Sequence, residues 1–408
     1  MSVPRSVAAH HQAVVELLTG VPANKGHLTL PLLEALGKVL AVDLYAPLSL
    51  PPFANSQMDG FAVRSADIPD GGAELRVAEP VPAGAAAPAL KPGFAAPIMT
   101  GAMIPEGADA VVPIEKAIPN TFPDPAVKDA VVELPPAAPG TYIRERGSDI
   151  GKGTLALAAG TLMGPAQLGL MAALGLTTVD IRQPCRVLLV TTGDEVVEPG
   201  QDLTSGKIFD SNGTLLEASM RQAGLEVVRA GISDDRPAAL LAVLRRHTGT
   251  GADRVDLIVT TGGVSKGAYE VVKQAMADQP VEFLPVAMQP GGPQGLGTFD
   301  GVPFLGFPGN PVSCLISFEM FLRPALTQVL GTPAPRPVLR ARLSEPLTSP
   351  EGKHQVRRGT VESNGTVRME GGAGSHLVHA LARANSLVHV PGDVTELAEG
   401  DEVEVWML

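Results

Sequence analysis

From Arg186 onward, short apolar runs alternate with helical patterns, and this alternation limits the possible folds more than any other feature of the chain. The spacing predicts a strand at Val187–Thr191, a helix over about 213–223, a strand at Glu226–Ala230 and a helix at Pro237–Arg246. A strand, a loop and a helix follow within Val255–Lys273, then strands at Phe283–Met288 and Pro303–Phe307 and a helix at Val312–Leu330. Such alternation implies a doubly wound, mainly parallel sheet with helices on both faces.

Val255–Lys273 is the centre of this pattern. Leu257–Val259 is a short β-branched run of the kind covered on both faces, Gly262-Gly263 permits turns that other residues resist, and Tyr269, Val272, Lys273 and Met276 have helical spacing. In open α/β folds such loops sit at the carboxyl end of the sheet, where ligands bind. A connector without a ligand has the same local sequence.

Acids and glycines recur at the strand ends: Thr191-Thr192-Gly193-Asp194-Glu195, Phe209-Asp210-Ser211-Asn212, Ser233-Asp234-Asp235, and Glu270. Several carboxylates at one sheet edge repel one another unless a hard cation lies among them, which points to Mg²⁺ with phosphate ligands. Singly, each also fits a helix cap or a solvated loop. In Gly306-Phe307-Pro308-Gly309-Asn310-Pro311-Val312-Ser313 a strand ends and a helix begins, offering free N–H groups as a phosphate seat. The chain has no Gly-x4-Gly-Lys-Ser/Thr loop, no dinucleotide-type Gly-x-Gly-x-x-Gly turn and no nucleophilic serine elbow, which excludes the commonest nucleotide and hydrolase sites.

At 408 residues the chain exceeds one compact domain. Its net charge of −12, with no dense basic run, opposes binding to nucleic acid or an acidic membrane. No long apolar segment or leader is apparent, so a cytoplasmic protein is expected. Cys185 and Cys314 match no metal-ligand spacing and read as buried thiols.

Before the α/β region, residues 6–18 and 29–40 read as amphipathic helices, and a third is introduced by Pro165. Between them the texture is that of strands and Pro/Gly turns. The domains expected are a discontinuous helical linker, 1–48 with 141–182; an inserted β-rich domain, 49–140; the α/β domain, 183–332; and a small C-terminal β domain, 335–408, from period-two patterns at Val338–Leu343, His354–Val361, Thr366–Met369, Leu387–Val390 and Glu402–Met407.

Five stretches, Asn55-Ser56-Gln57-Met58-Asp59-Gly60-Phe61-Ala62-Val63, Ile98-Met99-Thr100-Gly101, Thr191-Thr192-Gly193-Asp194-Glu195, Gly262-Gly263-Val264-Ser265 and Pro308-Gly309-Asn310-Pro311-Val312-Ser313, together resemble the MoeA family of molybdopterin molybdenumtransferases, the gephyrin E domains of eukaryotes. The resemblance runs in order along nearly the whole chain. It implies an elongated homodimer whose last domain is a β-barrel. The reaction it implies takes adenylylated molybdopterin, a small pterin supplied by a Mog-like adenylyltransferase, together with molybdate; with Mg²⁺ the phosphoanhydride is cleaved, AMP leaves and the dithiolene ligates the metal.

By motif position, the resemblance assigns catalytic roles to Asp59, Glu195, Asp234 and Glu270, with Glu195, Asp234 and Glu270 as metal ligands. Binding roles fall on Thr100, Asp149, Thr192, Gly193, Gly262, Gly263, Ser265, Pro308, Gly309, Asn310 and Ser313, and, at the molybdate pocket, on Arg358 and Ser375. Asp59, Thr100 and Asp149 lie outside the α/β domain, so the resemblance implies a site shared across the dimer. Departures are Gln289 and Gly292, where relatives carry a Lys-Pro-Gly-Lys-Pro run, and Pro285, Glu270 and Ala268. Lys266 is a candidate replacement cation. The rival readings are a Mog-like or CinA-like nucleotide enzyme, for which the outer domains have no use, and a non-catalytic pterin-binding paralogue.

Overall fold

The computed structural model describes residues 3–21, 26–124, 127, 129–232, 236–251, 253–264 and 270–408. The chain forms two compact units, Thr29–Ile181 and a second made of Met1–Leu28 with Arg182–Leu408.

The second unit contains the expected α/β sheet. Its six strands lie in the order Glu226–Ile232, Arg186–Thr192, Leu257–Thr261, Val302–Phe307, Pro293–Phe299 and Val281–Pro285. The first four are parallel, and Pro293–Phe299 runs against both its neighbours. Strand residues alternate between two cores, as a sheet covered on both faces requires. Val187, Leu189, Leu257, Val259, Leu305 and Phe307 pack with the helices Ser211–Gln222 and Val7–Leu18 and the helical run Pro311–Leu330. Leu188, Val190, Ile258 and Phe304 pack with Pro237–Thr248 and Val271–Ala275. The chain leaves Arg186–Thr192 for a strand on one side and returns to Leu257–Thr261 on the other, so the switch in strand order falls between these two.

The C-terminal strands close into a five-stranded barrel, Val338–Leu343, His354–Val361, Thr366–Met369, Ser386–Val390 and Glu402–Met407, through pairing of His354–Val361 with Ser386–Val390. Its interior is Leu343, Val367, Val388, Val390, Val403 and Val405. A short strand, Met288–Gln289, leaves the α/β domain and pairs with the barrel strand His354–Val361.

In the other unit, Gly60–Val63, Ala73–Val77, Phe94–Ile98, Ala110–Pro113 and Val131–Leu134 form one five-stranded sheet with an apolar core on each face. A third core joins Ala35, Leu40 and Met163 to Leu168 and Met171 of the helix Pro165–Ala173.

Three sequence readings are corrected. Residues 29–40 are not a helix: His27–Pro31 is a strand and Leu32–Ala35 a single 3₁₀ turn, with Leu33 and Leu36 exposed. Pro31 holds extended backbone there and disfavours helix at the residue before it. The helix Val7–Leu18, read as part of the linker layer, packs into the α/β core through Val14, Val15 and Leu18. The strand expected at Phe283–Met288 ends at Pro285, and Pro293–Phe299 is an additional strand.

Candidate functional site

Three loops meet at the carboxyl ends of adjacent parallel strands: Thr192-Gly193 after Arg186–Thr192, Gly262-Gly263 after Leu257–Thr261, and Pro308-Gly309 after Val302–Phe307. Their approach is close enough to require glycine at 262. A side chain on Gly262, at φ +90°, would meet the Thr192 carbonyl at 2.8 Å, and one on Gly309 would meet the Gly262 Cα at 3.4 Å. Asn212, in the first turn of Ser211–Gln222, fastens them by donating from Nδ2 to the Gly309 carbonyl at 2.6 Å and to Thr261 Oγ1 at 3.0 Å. Underneath, the buried Cys314 thiol donates to the Pro308 carbonyl at 2.7 Å and meets Thr261 Oγ1 at 3.0 Å. Burial pushes this thiol up to about 12, so it is a structural donor and no nucleophile.

These loops form one wall of a cleft of about 1020 Å³; the barrel loop Ala373–His376, Lys353 and the turn Gln289–Pro293 form the other. It opens at the switch in strand order, where ligands of open α/β sheets bind. The cleft gathers Thr192, Gly193, Glu195, Gly262, Gly263, Glu270, Pro308, Gly309, Asn310, Ser313 and Ser375 of the sequence assignment.

Gly193 has φ +141°, and the Glu195 carboxylate lies against it, about 2.9 Å from where a side chain would begin. Glu270 precedes the helix Val271–Ala275 and is half-buried. Asp210 is a structural acid: it caps Ser211–Gln222 through the Gly213 N–H and pairs with Arg229 at 2.6 Å.

The seat of free N–H groups before Val312 is smaller than the sequence suggested. Pro311 has no N–H, and that of Val312 is donated to the Ser375 carbonyl at 3.1 Å. Ser375 Oγ accepts from Asn310 Nδ2 at 2.8 Å, so one barrel residue fixes the helix entry twice. Arg358 does not line the cleft. It is 1% exposed, and its guanidinium donates to the carbonyls of Gly372 and Gly374, which shapes the loop carrying Ser375.

Asp59 and Thr100 come together in the other unit, where the Thr100 N–H and Oγ1 both donate to Asp59 Oδ1, at 2.6 and 2.9 Å. The backbone donor first, then the hydroxyl, hold this carboxyl below the usual carboxylate range. Asp149 is exposed and its N–H donates to the Leu50 carbonyl. Asp234, Ser265 and Lys266 lie outside the described residues.

Among the described residues no three acidic, histidine or cysteine side chains form a metal cluster. Glu195 and Glu270 on one cleft wall nevertheless fit Mg²⁺, which is held by one or two carboxylates with substrate phosphates completing its shell. The site residues missed by sequence reasoning are Asn212, whose only signal was its place after a strand end, and Lys353, which had none.

Fold and site thus define a multidomain α/β protein whose ligand cleft lies between the switch point of a parallel sheet and a small β-barrel. Comparison with known proteins agrees: residues 5–175 match the MoeA N-terminal region (domain I and II), 188–328 a probable molybdopterin binding domain, and 340–408 the MoeA C-terminal region (domain IV). The chain is 45% identical to molybdopterin molybdenumtransferase 2 of Mycobacterium tuberculosis, over 99% of this chain and all of that protein. It is 31% identical to the molybdopterin molybdenumtransferase of Haemophilus influenzae over 97% of each. A MoeA crystal structure from Pyrococcus horikoshii superimposes with a TM-score of 0.79 at 30% identity, covering 100% of this chain and 99% of that one. The chain belongs to the MoeA family.

Proposed function

We propose that the protein is a molybdopterin molybdenumtransferase of molybdenum cofactor synthesis, taking molybdate and adenylylated molybdopterin as substrates and releasing AMP. The observation that carries this reading is the cleft itself: acids and glycine turns at a sheet switch point face a barrel loop, and the family match covers both domains that build it.

The residues divide the work. Glycine turns at 193, 262 and 309 let the substrate phosphates approach the backbone, while Asn310 and Ser375 fix the helix entry beside them. Glu195 and Glu270, with Asp234 by resemblance, would hold Mg²⁺. When bound, Mg²⁺ supplies positive charge to the phosphoanhydride oxygens. The low-lying Asp59 carboxylate, fixed by Thr100, would serve as an ionised acid at neutral pH.

The same reading includes a homodimer, a cytoplasmic setting and a Mog-like adenylyltransferase as the source of the pterin adenylate. No helix among the described residues is long and apolar enough to cross a membrane. The test is incubation with adenylylated molybdopterin, Mg²⁺ and molybdate, followed by assay of AMP and of reconstitution of an apo-molybdoenzyme. AMP without an active cofactor marks a nucleotide hydrolase; pterin binding without either product marks a non-catalytic paralogue. Tungstate in place of molybdate shows which anion is preferred.

A further inference from the structure

The cleft is acidic where the α/β domain forms it and carries a lysine where the barrel forms it. Its acidic and basic lining side chains among the described residues are Glu195, Asp210, Glu270, Lys353 and His376, and Asp210 is already paired with Arg229. Lys353 has no side-chain hydrogen-bond or ion-pair partner among the described residues.

Its backbone, by contrast, is held on both sides. The Gly352 N–H donates to the Gly392 carbonyl at 2.8 Å, and the His354 N–H to the Ala287 carbonyl at 3.0 Å. A side chain on Gly392 would meet the Lys353 backbone at 3.1 Å, so the fit is close. Pairing of Met288 with His354 and of Gln289 with Gln355 sets Lys353 beside the start of the Gln289–Pro293 turn.

The arginines beside that wall are engaged, and the turn facing Lys353 brings no charge; His376, the other basic side chain on the wall, sits in the barrel loop opposite that turn. The Arg358 guanidinium donates to Gly372 and Gly374, and that of Arg357 to Gly371. Gln289 Oε1 accepts from Gln355 Nε2 at 2.7 Å, and Gly292 has no side chain. A dianion entering beside two carboxylates needs a nearby cation, and a lysine on a flexible stem suits a small tetrahedral oxyanion that presents no fixed bidentate edge.

We propose that Lys353 is the anion-binding residue of the barrel wall and holds the molybdate dianion between the Gln289–Pro293 turn and the Ala373–His376 loop. This rests on the transferase reading, and its test stands apart from turnover. Equilibrium dialysis of the full chain against molybdate, and separately against AMP, is run on wild type, Lys353→Met and Lys353→Arg.

Lys353→Met raises the molybdate Kd about tenfold and leaves the AMP Kd within about twofold, while Lys353→Arg brings molybdate back to within about threefold of wild type. An unchanged molybdate Kd in Lys353→Met overturns the proposal, as do an equal loss of AMP binding, which would place a substrate phosphate on Lys353, and the absence of saturable molybdate binding by wild type. Molybdate binding through Lys353 in a protein that makes no cofactor refutes the transferase reading alone.

Discussion

Asn310 Nδ2 donates to Ser375 Oγ at 2.8 Å, joining the entry of the helical run Pro311–Leu330 to a barrel loop 65 residues further along the chain. With the Val312 N–H on the Ser375 carbonyl, this sets the distance between the two cleft walls. A neutral hydrogen bond of this kind contributes about 0.5–1.5 kcal/mol. Ser375→Ala and Asn310→Ala should therefore each raise the KM for the pterin substrate several-fold, and the double variant should be no worse than the poorer single. Strictly additive losses in this cycle would show that the two side chains act independently.

Glu195 lies exposed on the cleft wall, so its loss should cost activity without costing stability. Glu195→Gln is expected to lower turnover about 100-fold or more and to leave the thermal midpoint unchanged, and Asp234→Asn to behave alike. Wild-type rates with unaltered Mg²⁺ dependence would remove both from the machinery.

His389 supplies a pH test of the barrel. It is buried between His354, whose Nε2 lies 3.0 Å from His389 Nδ1, and Trp406; burial, then the neighbouring His354, lowers it from 6.5 to about 3. A histidine lowered in the fold gives stability that is complete above 6.5 and is lost as pH falls from there towards 3, by about 1.4 kcal/mol per pH unit. His10, lowered to about 4 by burial, Arg5 and His11, acts in the same direction. The thermal midpoint should thus fall between pH 7 and pH 5, and His389→Gln should narrow that difference. An equal fall in the variant would assign the acid sensitivity elsewhere.

Cys314 is expected to resist thiol reagents in the native protein at pH 8 and to react on unfolding. Cys314→Ala removes the donor to the Pro308 carbonyl, and a loss of about 1 kcal/mol of stability is predicted, read from denaturant melts. Rapid native labelling would contradict the buried, hydrogen-bonded thiol.

Much of this molecule is legible in its sequence because the strands of a two-faced sheet must be apolar throughout, as Val187–Val190 and Leu257–Val259 are. Pro293–Phe299 escaped for the opposite reason. Gly295 must clear the Phe283 ring and Gly297 the Pro280 carbonyl, so a paired strand carries residues that read as a turn. Over residues 29–40 leucines at helical spacing misled, because Pro31 outweighs a periodicity that leaves Leu33 and Leu36 in solvent. Glycine turns and acids marked the α/β wall of the cleft. Lys353 was silent, since a lone lysine before a strand differs from a solvated one only through what folding sets opposite it.

The measurement that tests the account most directly is the ratio of AMP released to molybdenum bound as cofactor, followed with time on adenylylated molybdopterin with Mg²⁺ and rising molybdate. The account predicts one AMP for each molybdenum, an AMP release rate that depends on molybdate, and loss of both products together in Glu195→Gln. AMP release at the full rate without molybdate, or retention of the adenylate with molybdate present, would contradict it.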